Sequence, residues 1–194
     1  MPSPESTEPT EAAEQLFRKL GEQRRYEGSL ITVETATFGG PDGGTFERDV
    51  VHHPGAVSVV PLVDDQTAVL LVRQFRAAVE TDLLEIPAGK RDKSGEPPEA
   101  TAHRELEEEV GMRAGRLVPL ARFYNSPGFS DELSFSFLAS DLEPAQIDPQ
   151  GIEEQQMTVA KVGLDSVPGL IASGAICDAK TIIGLCLALR ALGR

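Results

Sequence analysis

Residues Gly89 to Met112 read GKRDKSGEPPEATAHRELEEEVGM, a segment with glycine and proline in its first half and several glutamates in its second half. Its second half predicts a helix from Glu99 to Val110, because that segment contains no glycine or proline. Gly111 stands where a helix commonly ends in a left-handed residue. Apolar residues recur at every fourth position of this helix, at Ala102, Leu106 and Val110. The stripe predicts that the helix packs against an apolar core.

Three glutamates with spacing i, i+3 and i+4 share a neighbouring face of the predicted helix: Glu105, Glu108 and Glu109. Like charges at these spacings repel by about 0.2–0.5 kcal/mol per pair, and the helix dipole disfavours anions near the C-terminus. Arg104 can orient one carboxylate but cannot neutralise three. A hard divalent cation such as Mg²⁺ or Mn²⁺ would offset the charge through oxygen ligands. From the helix alone, a solvated acidic face explains the pattern equally well.

The whole stretch resembles the signature of the Nudix hydrolases: glycine, a spacer, glutamate, seven residues, then Arg-Glu-apolar-any-Glu-Glu-any-Gly-apolar. The matching residues are Gly89, Glu96, Arg104, Glu105, Leu106, Glu108, Glu109, Gly111 and Met112. Six residues separate Gly89 from Glu96 where the usual pattern has five, and the extra residue lies in a loop, where insertions are tolerated. The resemblance implies an α/β/α sandwich with a mixed sheet. It also implies two or more Mg²⁺ or Mn²⁺ ions as cofactors.

Two runs before the helix resemble the ADP-ribose pyrophosphatase branch of this family: Gln74-Phe75-Arg76 and Leu84-Glu85-Ile86-Pro87-Ala88-Gly89. The resemblance implies that Arg76 contacts the phosphates of the substrate. It implies that the main-chain carbonyl of Ala88 is a metal ligand, beside the three glutamates. It also makes Glu85 a candidate for substrate binding.

Two loops after the helix are further candidates. The Ser-Pro-Gly loop at residues 126–131 resembles the same branch, in which it lies beside the substrate, so Gly128 and Phe129 are candidate contacts. Without the family, an ordinary hairpin loop is the better interpretation.

The polar stretch from Asp141 to Gln156 is long and irregular, which is typical of functional or mobile segments. In the resembling enzymes a loop here supplies the glutamate that positions or deprotonates the attacking water. The candidates, in order of preference, are Glu153 and Glu154. The alternative is a solvated acidic loop.

The order of the predicted elements indicates the domain organisation. Residues 1–10 predict a disordered tail. A short helix over Ala12–Leu20 and two antiparallel strands form an N-terminal region over residues 11–53, and residues 54–194 form the Nudix hydrolase domain. The N-terminal strands span residues 29–38 and 45–52. The strands of the second region span residues 56–63, 67–75, 117–125, 132–140 and 157–162. Its later helices are one that ends at Gly174 and one over 179–192, capped by Asp178.

The N-terminal region has its own functional implications. In the ADP-ribose branch an antiparallel sheet precedes the core and commonly helps to build a homodimer, and residues 27–53 are the corresponding segment here. Arg48 is a basic residue in acidic surroundings within this segment. A surface arginine and a contact to a phosphate or ribose are equally good interpretations of it.

The composition excludes several classes of partner. The formal net charge of −13 argues against nucleic acid, so an anionic substrate must be attracted locally by metal or arginine. No apolar run reaches the length of a membrane span, and the acidic N-terminus is unlike a secretion signal. We therefore expect a cytoplasmic protein without a membrane partner. Cys177 and Cys186 are expected to be small buried hydrophobic residues in a reducing compartment.

The expected reaction is hydrolysis of ADP-ribose to AMP and ribose 5-phosphate. Arg104 would fix the orientation of a glutamate, and Glu153 would act on the water. Two alternatives remain open. One is hydrolysis of another nucleoside diphosphate sugar or X-linked nucleoside diphosphate. The other is a non-catalytic sensor with the Nudix fold, although such a protein is expected to lack metal-binding glutamates and all three are present here.

Overall fold

A computed structural model describes residues 16–146 and 155–194. The chain divides into two compact units, the first ending at Val51 and the second beginning at His52. The first unit contains a three-stranded sheet in the order β1-β2-β3. The strands are β1 (Arg18–Glu27), β2 (Thr32–Gly39) and β3 (Thr45–His52). The predicted antiparallel strands at residues 29–38 and 45–52 are therefore confirmed.

The prediction of a helix over Ala12–Leu20 is wrong at its C-terminal end. Arg18 to Leu20 begin strand β1, which pairs antiparallel with β2 from Arg18 opposite Gly39. The apolar spacing suited a helix, but here the backbone groups are satisfied across two strands, and the Phe17 ring packs edge-on against Phe46 at 5.7 Å. Residues 1–15, including the predicted tail, lie outside the described ranges.

A mixed sheet forms the centre of the second unit. Its strands within the described residues are β4 (Ala56–Val63), β5 (Ala68–Arg76), β6 (Thr81–Glu85), β7 (Ala88–Lys90), β8 (Met112–Tyr124), β9 (Leu133–Pro144) and β10 (Thr158–Gly163). The main order is β10-β5-β4-β9-β8, and β6 pairs with β5 while β7 pairs with β4. Strands β4 and β9 pair in parallel, whereas β5 pairs antiparallel with β10, β4 and β6, and so do β4 with β7 and β8 with β9.

Helices cover both faces of this sheet. They are α1 (Pro98–Val110), α2 (Val167–Ala172) and α3 (Ala179–Ala191), and a 3₁₀ turn at Leu164–Ser166 precedes α2. Val57 and Val59 of β4 are buried in one cluster with α1, whereas Val60 and Leu62 are buried in a second cluster with α2 and α3. Alternate residues of a strand face opposite sides, so the continuous apolar run of β4 serves both clusters. The predicted α/β/α sandwich with a mixed sheet is confirmed.

Helix α3 approaches the sheet closely at Gly184. A Cβ at this position would lie 2.9 Å from Cδ1 of Ile86 and 3.1 Å from Cγ2 of Val60. The other face of the helix stays outside, so Cys186 is exposed, and Cys177 before the helix is exposed as well. The expectation of buried cysteines is therefore wrong: Cys186 lies on the side of α3 that is not buried, and Cys177 lies before the helix begins. None of the helices in the described parts of the chain has the length and apolar character that a membrane span requires.

Candidate active site

Helix α1 presents the predicted acidic face beside its buried stripe. Gly111 adopts φ 64° and ψ 35°, and its N–H donates to the carbonyl oxygen of Glu107, so the predicted left-handed end of the helix is confirmed. Glu105 is 7% exposed and Glu109 is 5% exposed, whereas Glu108 is half-buried. A solvated acidic face does not describe this helix, because two of the three carboxylates are withdrawn from water.

Strand β7 brings Ala88 and Gly89 against these carboxylates. The N–H of Ala88 donates to Oε2 of Glu109 at 3.0 Å. A Cβ on Gly89 would lie 1.9 Å from Cδ of Glu105 and 2.1 Å from each of its oxygens. Since no real Cβ contact is that short, the carboxylate of Glu105 occupies the space that any other residue at position 89 would fill. The structure therefore brings together Ala88, Glu105 and Glu109.

Arg104 lies among the acidic side chains of this region. Its Nη1 donates to Oε1 of Glu105 at 2.7 Å and to Oε2 of Glu108 at 3.0 Å, and its Nη2 donates to Oε2 of Glu96 at 3.3 Å. Burial acts to lower the pKa of Arg104, but the charge of Glu105 and the contacts with Glu96 and Glu108 raise it above its ordinary value. Arg104 therefore stays charged and can orient several carboxylates at once.

Glu96 joins this network despite the extra residue before it. Its Oε2 accepts hydrogen bonds from Oγ1 of Thr101 at 2.8 Å and from Arg104. Burial acts to raise the pKa of Glu96, but these two hydrogen bonds lower it overall. The loop before Glu96 includes Gly95 at φ +77°, a backbone conformation that glycine adopts without strain. The inserted residue is thus accommodated in the loop, and Glu96 still reaches the helix.

The donor set fits a hard divalent cation. Carboxylate and main-chain carbonyl oxygens are the ligands that Mg²⁺ and Mn²⁺ prefer, and the missing side chain at Gly89 leaves space for Glu105 beside the backbone. The residues that could hold the metal are Ala88, Glu105, Glu108 and Glu109. Within the described ranges, no three acidic, histidine or cysteine side chains already surround one point. Glu105 and Glu108 instead share the guanidinium of Arg104.

A second charged cluster lies at the ends of β5 and β6. Glu85 is 1% exposed, and Arg76 donates to it through Nε at 2.8 Å and Nη2 at 2.6 Å. Nζ of Lys180 also donates to Glu85, and it donates to Oδ2 of Asp178 at 2.9 Å. Burial acts to raise the pKa of Glu85, but Arg76 and Lys180 lower it, so the carboxylate is held charged. The hydrogen bond with Glu85 raises the pKa of Arg76, and the negative charge of Glu109 adds to that effect.

Comparison with known proteins gives the family. The NUDIX domain matches residues 52–174. The chain belongs to the NUDIX domain family. An ADP-ribose pyrophosphatase of Bacillus subtilis (strain 168) is 40% identical over 164 residues, which cover 84% of this chain and 88% of the relative. A methanol dehydrogenase activator of Bacillus methanolicus is 34% identical over 161 residues, which cover 82% of this chain and 85% of the relative.

A solved structure supports the fold of this Nudix protein. The crystal structure of an ADP compounds hydrolase superposes with a TM-score of 0.81 and covers 94% of this chain and 99% of its own chain. At 24% sequence identity, this likeness bears on the fold alone. The resemblance of Gly89–Met112 to the Nudix signature and the likeness to the ADP-ribose pyrophosphatase branch are both confirmed.

The remaining predicted site residues of the Nudix protein are Arg48, the Ser-Pro-Gly loop, and Glu153 with Glu154. Arg48 belongs to the first unit, where its Nη1 donates to the carbonyl oxygen of Glu47 at 2.7 Å and its Cζ lies 4.8 Å from the ring centre of Phe46. Its substrate contact stays a prediction. The predicted catalytic residues, Glu153 and Glu154, lie outside the described residues.

The Ser-Pro-Gly loop forms a tight turn in the second unit. The N–H groups of Phe129 and Ser130 donate to the carbonyl oxygen of Ser126 at 3.1 and 2.9 Å. Gly128 has no atoms within 4 Å of an added Cβ, and Phe129 is 59% exposed. Asp131 ties the loop to the start of the unit, because it accepts hydrogen bonds from the N–H of His53 at 2.9 Å and pairs with Nδ1 of His52 at 2.6 Å. An exposed aromatic ring on an anchored turn fits the predicted substrate contact, which stays a prediction.

Sequence reasoning missed Lys180 and Thr181, which the fold brings to Glu85 and Ile86. The N–H of Ile86 donates to Oγ1 of Thr181 at 3.0 Å, and the two residues are 95 positions apart. One signal was available, because Lys180 stands in the first turn of a largely apolar helix. A cation there opposes the helix dipole and therefore indicates an acidic partner. The predicted capping role of Asp178 is confirmed, since its side chain accepts the N–H of Thr181 at 3.0 Å.

Proposed function

We propose that this Nudix protein hydrolyses the diphosphate of ADP-ribose to AMP and ribose 5-phosphate, with two or more Mg²⁺ or Mn²⁺ ions. The observation that carries the proposal is the position of the Glu105 carboxylate in the space beside Gly89, next to buried Glu109 and the backbone of Ala88. Buried carboxylates gathered at a backbone segment suit a divalent cation better than they suit water. The similarity to the Bacillus subtilis ADP-ribose pyrophosphatase supports the choice of substrate.

The residues have separate tasks in this reaction. Bound divalent ions offset the charge of a diphosphate and lower the pKa of water. Ala88, through its carbonyl oxygen, and Glu105, Glu108 and Glu109 are the groups that would hold these ions. Arg104 keeps the carboxylates oriented through the contacts described above. Glu153, or in its place Glu154, accepts the proton of the attacking water.

The substrate is held by groups outside the metal site. Arg76 binds a phosphate oxygen, and Glu85 fixes its guanidinium through two hydrogen bonds. Gly128 and Phe129 border the substrate from the loop at residues 126–131, where the ring of Phe129 is exposed. Arg48 contacts a phosphate or the terminal ribose. Because the chain carries a net charge of −13, these local cations are needed to attract an anion.

A substrate panel tests the choice of ADP-ribose. Purified protein is given Mg²⁺ and equal concentrations of ADP-ribose, ADP-glucose, GDP-mannose and NAD, and the released nucleotides are separated by chromatography. We expect kcat/KM to be highest for ADP-ribose, with AMP as the nucleotide product. If another diphosphate is cleaved much faster, that compound is the substrate and the assignment of ADP-ribose is wrong. If the protein binds these compounds but cleaves none of them, a non-catalytic sensor is favoured.

Glutamine substitutions test the metal site. Glu108→Gln and Glu109→Gln each remove one anionic ligand at nearly constant volume, and we expect kcat to fall by about 100-fold or more. Glu107→Gln is the matched control, because Glu107 lies on the same helix but pairs with Arg113 at 2.7 Å. Activity is measured against Mg²⁺ concentration, and metal affinity by calorimetry. Full activity in both of the first two variants would refute the assignment of the metal ligands.

The proposal extends to assembly and location. The first unit carries an edge strand, β1, that is exposed along its whole length, and its neighbourhood displays exposed apolar side chains. These are Leu16, Phe17, Leu20 and Tyr26. Such a surface supports a homodimer built through this sheet, which sedimentation would detect as twice the chain mass. Free, exposed thiols at Cys177 and Cys186 suit a reducing compartment, so the protein would act in the cytoplasm.

A further inference from the structure

The carboxylate of Glu85 is shared between two cations. Glu85 is 1% exposed; its Oε1 accepts a hydrogen bond from Nε of Arg76, and its Oε2 accepts hydrogen bonds from Nη2 of Arg76 and Nζ of Lys180. A buried carboxylate with a single cationic partner tends to draw that partner inward, since an unbalanced buried charge is costly. With two cationic partners, the charge of the Glu85 carboxylate is balanced while only Nε and Nη2 of Arg76 contact it.

Lys180 is held in place from its own helix. It is 14% exposed in its side chain and pairs with Asp178 at 2.9 Å. Asp178 also accepts hydrogen bonds from the N–H of Thr181 at 3.0 Å and from its hydroxyl at 2.6 Å. The same hydroxyl accepts the N–H of Ile86, the residue that follows Glu85. The first turn of α3 and the end of β6 are therefore joined twice, which leaves Lys180 little freedom.

In the described part of the chain, one nitrogen of Arg76 has no hydrogen-bond partner. Nε and Nη2 donate to Glu85, while Nη1 makes no hydrogen bond within residues 16–146 and 155–194. The side chain of Arg76 is 37% exposed, so a ligand can reach part of it from solvent. The acidic face of α1 is close to this pair, because Ala88, three residues after Glu85, donates its N–H to Oε2 of Glu109 at 3.0 Å, and three residues span at most about 11 Å.

We propose that Lys180 is a positioning residue, which holds the Glu85 carboxylate so that the Nη1 edge of Arg76 is presented to the diphosphate of the substrate. The inference rests on the proposed function and deepens it. Lys180 acts through Glu85 and Arg76 and does not itself touch the reacting atoms. Without its charge, Glu85 would rely on Arg76 alone, and the guanidinium would be less available for the phosphate. Substrate binding would weaken, while the chemical step at the metal face of α1 would change little.

Steady-state kinetics of three variants test this role. Lys180→Met removes the charge and keeps the stem, and we expect KM for ADP-ribose to rise about ten-fold or more, with kcat changed by less than about three-fold. Lys180→Arg keeps a cation and should recover most of the affinity. Lys161→Met is the control, because Lys161 is an exposed lysine that pairs with Asp64 at 2.7 Å. A merely structural role would lower kcat through loss of folded enzyme and leave KM unchanged, and that result would overturn the inference.

A second measurement separates this inference from the choice of substrate. The Nε–H resonance of Arg76, assigned by its loss in Arg76→Lys, reports the bond to Glu85 without any turnover. We expect the resonance to exchange faster with solvent in Lys180→Met than in the wild type and Lys180→Arg. Inorganic pyrophosphate with Mg²⁺ serves as the binding probe, and its Kd should rise only in Lys180→Met. If the wild type fails to cleave ADP-ribose, the proposed substrate is wrong. An unchanged Arg76 resonance and an unchanged pyrophosphate Kd in Lys180→Met would overturn the role of Lys180.

Discussion

Replacing Gly89 by alanine should disable the site while the fold survives. The new Cβ would lie 1.9 Å from Cδ of Glu105, and ordinary contact begins at 3.4 Å, so the carboxylate must move by about 1.5 Å. Misplacement of a catalytic group by about 1 Å can cost about 100-fold in rate. We therefore expect kcat to fall by about 100-fold or more. The cost in stability should stay below about 2 kcal/mol, because the flexible end of a glutamate can yield.

The assay compares kcat at saturating Mg²⁺ with the midpoint of thermal unfolding. Gly169→Ala is the control, since an added Cβ there meets no atom within 4 Å. Glu105→Asp shortens the side chain by one methylene group, so combining it with Gly89→Ala should relieve the overlap, and the two effects on kcat should not add. Unchanged kcat in Gly89→Ala, with the fold intact, would refute the idea that Glu105 must occupy this space.

Two further substitutions test the supports of the site. Thr181→Val leaves the N–H of Ile86 without its hydroxyl acceptor and removes a donor to Asp178, so the free energy of unfolding should fall by about 1–3 kcal/mol in urea titrations, and an unchanged value would contradict the contact. Burial acts to raise the pKa of Asp131, but the hydrogen bonds with the side chain of His52 and the backbone N–H of His53 lower it overall. A carboxyl group whose pKa is lower in the folded than in the unfolded state stabilises the fold at pH values above its unfolded pKa of about 3.9. This stabilisation is lost as the pH falls through the folded pKa. The stability difference between wild type and Asp131→Asn should therefore shrink below about pH 4, and a difference that stays constant from pH 3 to pH 7 would exclude the effect.

Local sequence rules predicted the helices and strands correctly where the hydrophobic pattern agrees with the packing in the folded chain. Helix α1 ends at Gly111 as expected, because a glycine tolerates the left-handed backbone that closes a helix. The apolar stripe is buried, and the acidic face lies beside it, because both follow from the period of the helix. Prediction from apolar spacing failed at Arg18–Leu20. The spacing suited a helix, but these residues form a strand because they pair with β2.

The family, the acidic helix face and most strands could be predicted from the amino-acid sequence, since each depends on residues within one or two turns or on a short motif. The position of Glu105 in the space at Gly89 could not, nor could the contact of Lys180 with Glu85, 95 positions away, because both arise only in the folded chain. Such contacts depend on how closely separate elements approach, and Gly184 sets that distance for α3. No local pattern encodes it, because the approach of two elements is set by the packing of the side chains between them.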